Sequence, residues 1–156
     1  MAYGQAGTPI TGSPPTCRVY NSASQNHTTS GAWQALTLDS NRFDPTGMHS
    51  TSTQTSRITI ASPGVYLLTG CINFASNATG VRGISMRMNG TTFIVSDFRA
   101  ALSGSGPDLA VATIYKFAAN DYVELLGWQN SGGTLAMPNN ANYNPEFSAM
   151  WQGLGT

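Results

Sequence analysis

The chain's apolar and polar positions fall into short alternating runs broken by turn residues. Arg57-Ile58-Thr59-Ile60 alternates cleanly, as a strand with one buried face does. Ile84, Met86 and Met88 alternate with Ser85 and Arg87, and Leu109, Val111, Thr113 and Tyr115 share one face. Arg18-Val19-Tyr20, Val65-Tyr66-Leu67-Leu68 (continuing through Cys71, Ile72 and Phe74), Thr91–Val95, Tyr122–Leu126 and Phe147–Trp151 read as further strands. In Trp33–Leu38 the alternation is clear only at Leu36-Thr37-Leu38. Pro63-Gly64, Asn89-Gly90 and Asn120-Asp121 supply turn chemistry between these runs, and Ser131-Gly132-Gly133 reads as a hairpin turn. The pattern gives about eight to ten strands at the spacing of sandwiches and barrels. No window has a helical period; Ala100–Leu102 is expected to make at most one helical turn before Gly104.

Residues 1–16 are rich in Gly, Pro and Thr, and Pro14-Pro15 forbids a helix there. They read as an N-terminal arm, either disordered or ordered against a neighbour, ahead of a single domain over 17–156. The Ser/Thr/Gln run Ser50–Ser56 reads as a surface loop.

Composition narrows the function. Only 9% of the chain is charged, against about 25% in a typical soluble domain. Seven basic and seven acidic residues cancel, and Lys116 is the one lysine. Such a chain has no electrostatic footprint for nucleic acid or an anionic membrane, and little repulsion between copies. No run of 18 apolar residues is present to span a membrane. The start, Met1 to Pro15, has neither a charged nor an apolar leader segment, so synthesis in a cytoplasm is the expectation. Cys17 and Cys71 each lie beside a strand-like run; reduced core thiols are favoured over a disulfide.

Catalytic chemistry is hard to place. His27 and His49 lie in Ser/Thr-rich stretches and read as solvated or hydrogen-bonded loop residues, and no Gly-x-Ser-x-Gly elbow occurs. Asp39, Asp44 and Asp121 sit at strand ends or turns, where Asp caps backbone N–H groups; with Asp97, Asp108, Glu124 and Glu146 they complete the carboxylates, and nothing selects a catalytic pair. Ser131-Gly132-Gly133 lacks the Lys and helix of a phosphate-cradling loop. No cofactor is expected, and no D-x-D-x-D-G calcium loop is present. The sequons at Asn26, Asn77 and Asn89 are chance features of an Asn/Thr-rich chain. The aromatic residues serve as core or subunit contacts, a carbohydrate-stacking platform being the alternative for the tryptophans. Core or interface candidates are Tyr20, Trp33, Phe43, Tyr66, Tyr115, Tyr122, Trp128, Phe147 and Trp151.

Four patterns stand in one order: Phe43-Asp44-Pro45-Thr46-Gly47, Pro63-Gly64-Val65-Tyr66, Asn120-Asp121-Tyr122-Val123-Glu124-Leu125 and Phe147-Ser148-Ala149-Met150-Trp151. Together they resemble the C1q/TNF-like domain over residues 18–152. Asn120 and Ala149 stand where that family has glycine. The runs Arg18–Ser22 and Ser40–Asp44 are similar to C1q/TNF-like domains of bacteriophage virion proteins. The resemblance implies an all-β, ten-strand jelly-roll sandwich forming a homotrimer around a three-fold axis. Some members hold calcium near that axis. It further implies a non-enzymatic virion protein made in a bacterial host: a capsid decoration protein binding the major capsid protein or other virion proteins. The alternative is a receptor- or glycan-binding fibre tip, presenting loops 50–56 and 138–145.

Overall fold

The computed structural model describes residues 12–155. They form twelve strands: β1 (Thr16–Tyr20), β2 (Gln25–His27), β3 (Ala32–Ala35), β4 (Ser40–Phe43), β5 (Arg57–Thr59), β6 (Gly64–Asn73), β7 (Val81–Met88), β8 (Thr92–Ala100), β9 (Asp108–Phe117), β10 (Tyr122–Gln129), β11 (Leu135–Met137) and β12 (Glu146–Gly153). One five-stranded sheet has the order β4-β1-β12-β6-β9. The other has the order β3-β10-β7-β8, with β5 also paired to β10. These ten strands are the jelly-roll sandwich; β2 and β11 make a separate two-stranded ribbon.

Period two explains the assembly. In β6, alternate residues from Gly64 to Ile72 are buried while the intervening ones are not. Tyr66, Leu68 and Ile72 join Val19, Leu109, Val111, Phe117 and Phe147 of the first sheet against Ile58, Ile84, Met86, Val123 and Leu125 of the second. Each such fully buried side chain is worth about 1.5–3 kcal/mol relative to exposure. Gly70 faces this core, and a Cβ there would lie 2.5 Å from Cδ1 of Leu125; the missing side chain lets the sheets meet.

The turns use the expected residues. Asn89, Gly90 and Thr91 join β7 to β8; Asn89 (φ 50°) and Gly90 (φ 72°) take left-handed backbone as the central pair of a turn closed by the Thr91 N–H on the Met88 carbonyl (3.1 Å). Asp44 closes its turn by accepting the N–H groups of Met48 (2.8 Å) and His49 (2.9 Å).

Several local expectations are corrected. Ala32–Ala35 forms the strand β3, whereas Leu36-Thr37-Leu38 lies just beyond it; Leu36 and Leu38 alternate because both plug the core from the connecting segment. Ala100 ends β8, so no helical turn forms there. Ser131–Gly133 joins β10 to β11, but β11 pairs with β2, so the turn makes no hairpin. The short strands β2, β4 and β11 carry no alternation strong enough to announce them. Of the 1–16 arm, residues 1–11 lie outside the described residues; the carbonyl of Pro15 already accepts the Trp151 N–H (2.9 Å), and Thr16 pairs with Met150.

Candidate interaction surface

The outward side of the first sheet is built in rows across β1, β12, β6 and β9. Register places Thr16, Met150, Leu67 and Ile114 in one row and Arg18, Ser148, Thr69 and Ala112 in the next. Tyr20, Glu146, Cys71 and Ala110 follow, and Asn73 with Asp108 closes the series. Three of the first row's four residues are apolar, with Ile114 66% exposed and Met150 exposed two strands away; Phe43 is exposed on β4, opposite Arg18 of the second row. In the middle rows Ser148, Thr69, Cys71, Ala110 and Ala112 are small, leaving a hollow of about 480 Å³ bordered by Arg18 and Glu146. Small residues flanked by bulky exposed ones give this sheet a relief that a complementary surface can enter.

Glu146 anchors the charged end of that face. Its carboxylate is buried and bonded by the guanidinium groups of Arg18 and, at 3.0 Å, Arg42. Arg42 also lies over the Tyr20 ring, 3.8 Å from its centroid. The second sheet repeats the device. Glu124 is buried between Arg87 (3.0 Å) and Arg57 (3.7 Å), the latter stacked on Tyr122, and it accepts a bond from Ser56 (3.0 Å). In both, a carboxylate removed from water is compensated by two charged donors, as burial of a charge demands. Neither grouping was visible in the sequence, because Arg57 and Arg87 lie far from Glu124 along the chain. Arg82 differs: it is fully buried and donates to the carbonyls of Asn77, Thr79 and Val81, and burial lowers its pKa.

The outward side of the second sheet carries an aromatic group. One row runs Trp33, Trp128, Gly83, Phe98 across β3, β10, β7 and β8. The Trp33 ring lies 5.5 Å from both Phe93 and Phe98, and Phe98 lies 5.7 Å from Trp128. Edge strands β3 and β8 are three strand spacings apart, about 14 Å. Their side chains therefore lean inward and meet above β10 and β7. A Cβ on Gly83 would lie 2.6 Å from the Phe98 ring, so glycine makes the seat. Beneath the rings, Leu126 and Ser85 are fully buried, yet Leu126 is no part of the sandwich core. Phe93 and Phe98 stay 47% and 51% exposed.

The nine aromatic candidates thus separate. Tyr66 and Phe147 are fully buried in the core, and the Tyr66 hydroxyl donates to the Ser62 carbonyl (2.7 Å). Tyr115 and Trp151 are half-buried against the core. Tyr20 and Phe43 lie on the first sheet's outer side; Trp33, Trp128 and Tyr122 lie on the second's.

Both histidines are buried and hydrogen-bonded, the second of the two alternatives, although His27 belongs to a strand and not a loop. His27 ends β2 with Nε2 3.0 Å from the Gly127 carbonyl, and its Nδ1 has no partner among the described residues; burial lowers its pKa. His49 sits between Asn41 Oδ1 (2.7 Å) and the Thr55 carbonyl (3.1 Å). Asp121 accepts the Ala118 N–H (2.7 Å), a turn role like that of Asp44, while Asp39 clamps Ser22 through both its N–H and hydroxyl (2.7 Å each). Cys17 and Cys71 are free thiols. Burial pushes Cys17 up to about 12 and also raises Cys71. Among the described residues no three His, Cys, Asp or Glu side chains gather to hold a metal ion.

Loops 50–56 and 138–145 both approach β4: Arg42 donates to the Ala141 carbonyl, and His49 links Asn41 to the Thr55 carbonyl. The first leads into β5, which pairs with the start of β10, next to the start of β6. The second leads into β12, whose first residue pairs with Cys71 near the end of β6.

The two sheets, their strand order and their connections define a TNF/C1q-type jelly roll. Its fold is similar to Eiger TNF from S. frugiperda, at 12% identity and a TM-score of 0.70, covering 92% of this chain and 96% of that one. Murine APRIL at pH 8.5 aligns at 10% identity and a TM-score of 0.67, over 90% and 100% of the two chains. The globular domain of zebrafish complement 1qA aligns at 13% identity and a TM-score of 0.59, over 88% and 96%. No protein-family model matches the sequence, and no curated protein matches it. The likeness is therefore one of fold.

Proposed function

We propose that this chain is a non-catalytic structural protein that assembles as a homotrimer and decorates the outer lattice of a virus capsid. The observation that carries the reading is the first sheet's outward side, where Phe43, Leu67, Ile114 and Met150 border a floor of small residues. Exposed apolar side chains concentrated on one face mark an interaction surface. A TNF/C1q-type jelly roll is typically a homotrimer, which supports a second and third copy as the occupants. A low, balanced charge suits dense packing of many copies, and repeated weak contacts to a lattice become effective through avidity.

Sedimentation equilibrium should give a trimer at micromolar concentration, and Ile114→Asp should give a folded monomer. A monomeric wild-type chain would remove the reading. For the capsid role, quantitative mass spectrometry of purified particles should find copies by the hundred; a handful per particle would refute decoration.

A second reading, glycan or receptor recognition, is favoured by the exposed rings of Phe93 and Phe98 on the second sheet. Sugars stack on such faces. Glycan-array binding lost on Phe93→Ala and Phe98→Ala, in a protein that still assembles, would select it.

A further inference from the structure

The charges on the first sheet's outward side do not balance locally. At the β1/β4 side, Arg18 and Arg42 share one carboxylate, Glu146, leaving one surplus positive charge. At the β9 edge, Asp108 has no ion-pair partner among the described residues. Its Oδ1 accepts from the amides of Asn73 (2.8 Å) and Asn144 (3.0 Å), and its Oδ2 has no donor among them. Arg99, beside it, is paired with Asp97 at 3.1 Å. The Asp108 end of that edge therefore carries one surplus negative charge, Lys116 lying at the opposite end of β9 on the Gly155 carbonyl.

Within one copy the two do not form an ion pair: Arg18 bonds Glu146 and the Asn142 carbonyl, and Asp108 bonds Asn73 and Asn144. β12 and β6 lie between β1 and β9, so about 14 Å separates the strands that carry them. A second copy can supply the pair that the first does not form. Rings close when one patch of a subunit meets a different patch of the next. A face positive at one side and negative at the other is complementary to itself in that arrangement.

The heights agree as well. Arg18 is drawn along the sheet by Glu146 and by the Asn142 carbonyl (3.1 Å), toward the end where β12 begins. Glu146 pairs with Cys71, and Cys71 with Ala110. Asp108 is two residues further in the same direction, about 7 Å along the strand. Rotation about an axis along the strands preserves height, so an arginine of one copy reaches an aspartate of the next with side-chain length alone.

We propose that Arg18 of one copy forms an ion pair with Asp108 of the neighbouring copy, closing the ring. Arg18 is the donor of choice because it is more exposed than Arg42, which is stacked on Tyr20. The proposal rests on the self-association reading.

The test is a double-mutant cycle on the full chain, with Asp108→Asn and Arg18→Met, read by sedimentation equilibrium at low and high salt. Asp108→Asn keeps an oxygen for the two amides, and Glu146 keeps Arg42 when Arg18 is replaced, so both variants should fold; circular dichroism checks this. Each single variant should raise the dissociation midpoint roughly tenfold at low salt, by the coupling expected of a close interfacial charge pair. The double variant should be no worse than the singles, and the salt dependence should flatten in all three. Additive effects, or unchanged midpoints in a wild-type trimer, would overturn the ion pair while leaving self-association standing. A wild-type chain that never assembles would overturn both.

Discussion

Trp33→Ala is the sharpest probe of the aromatic group on the second sheet. The indole bridges two edge strands through Phe93 and Phe98 and roofs Leu126 and Ser85. Truncating a fully buried Trp to Ala costs about 3–5 kcal/mol, and the half-burial of Trp33 reduces that to about 2. Two ring pairs, each worth about 0.5–1.5 kcal/mol beyond their area, are lost with it. The sum is about 3–4 kcal/mol. With a urea slope of about 2 kcal/mol/M, the unfolding midpoint should fall by about 1.5–2 M without a change of slope. Protein concentration must be matched, because assembly adds to apparent stability. Phe98→Ala, at a more exposed ring, should cost about half as much. A loss below about 0.5 kcal/mol for Trp33→Ala, the range of an ordinary surface change, would mean that the rings do not hold the strands together and that the bridging argument is wrong.

Three further outcomes are expected. Gly70→Val should lower stability by about 1–3 kcal/mol in urea melts, because its side chain would press on Leu125 and Met86; an unchanged midpoint would mean the sheets can separate freely. His27 has a folded pKa below its ordinary 6.5, so its contribution is complete above that value. As pH falls below 6.5 the unfolded chain takes up the proton first and stability declines toward the depressed folded value; His27→Phe should flatten that part of the pH profile, and an unaltered profile would discount the group. Finally, Cys71 should alkylate at pH 8.5 in the Ile114→Asp monomer and be protected in the assembled wild type, while Cys17 stays unreactive in both; equal Cys71 rates would place the contact on another face.

β6, β9 and β12 were legible because each has one buried face, and burial on one side writes period two into the residues; in β7 and β10 the rings and ion pairs on the outward side bury Arg82–Met86 and Val123–Gly127 without a break. β4, Ser40-Asn41-Arg42-Phe43, buries almost nothing and exists because β1 offers it an edge, so its sequence has no pattern to read. The ordered turn motifs carried the fold further than alternation did, since Asp44, Gly64, Asn89 and Asn120 meet backbone requirements that few residues satisfy. The faces were less legible. Parity places Glu124 and Arg87 on the outward side of their strands, but only the register of β5, β10 and β7 brings Arg57, Glu124 and Arg87 into one row. Trp33 and Phe98 meet across four strands, and no local signal encodes that distance.

The bond between Pro15 and Trp151 has a practical consequence. It ties the approach to β1 to the exit of β12, and Gly153 lies opposite Val65, so both leave at the end of the sandwich where β6 begins. Segments 74–80, 101–107 and 130–134 lie at the other end. Cargo joined directly at Pro15 or Gly153 would start from one pole, while peptides grafted into those segments would emerge from the other. The domain is thus a vectorial display scaffold, able to carry two payloads that point in opposite directions without competing for space.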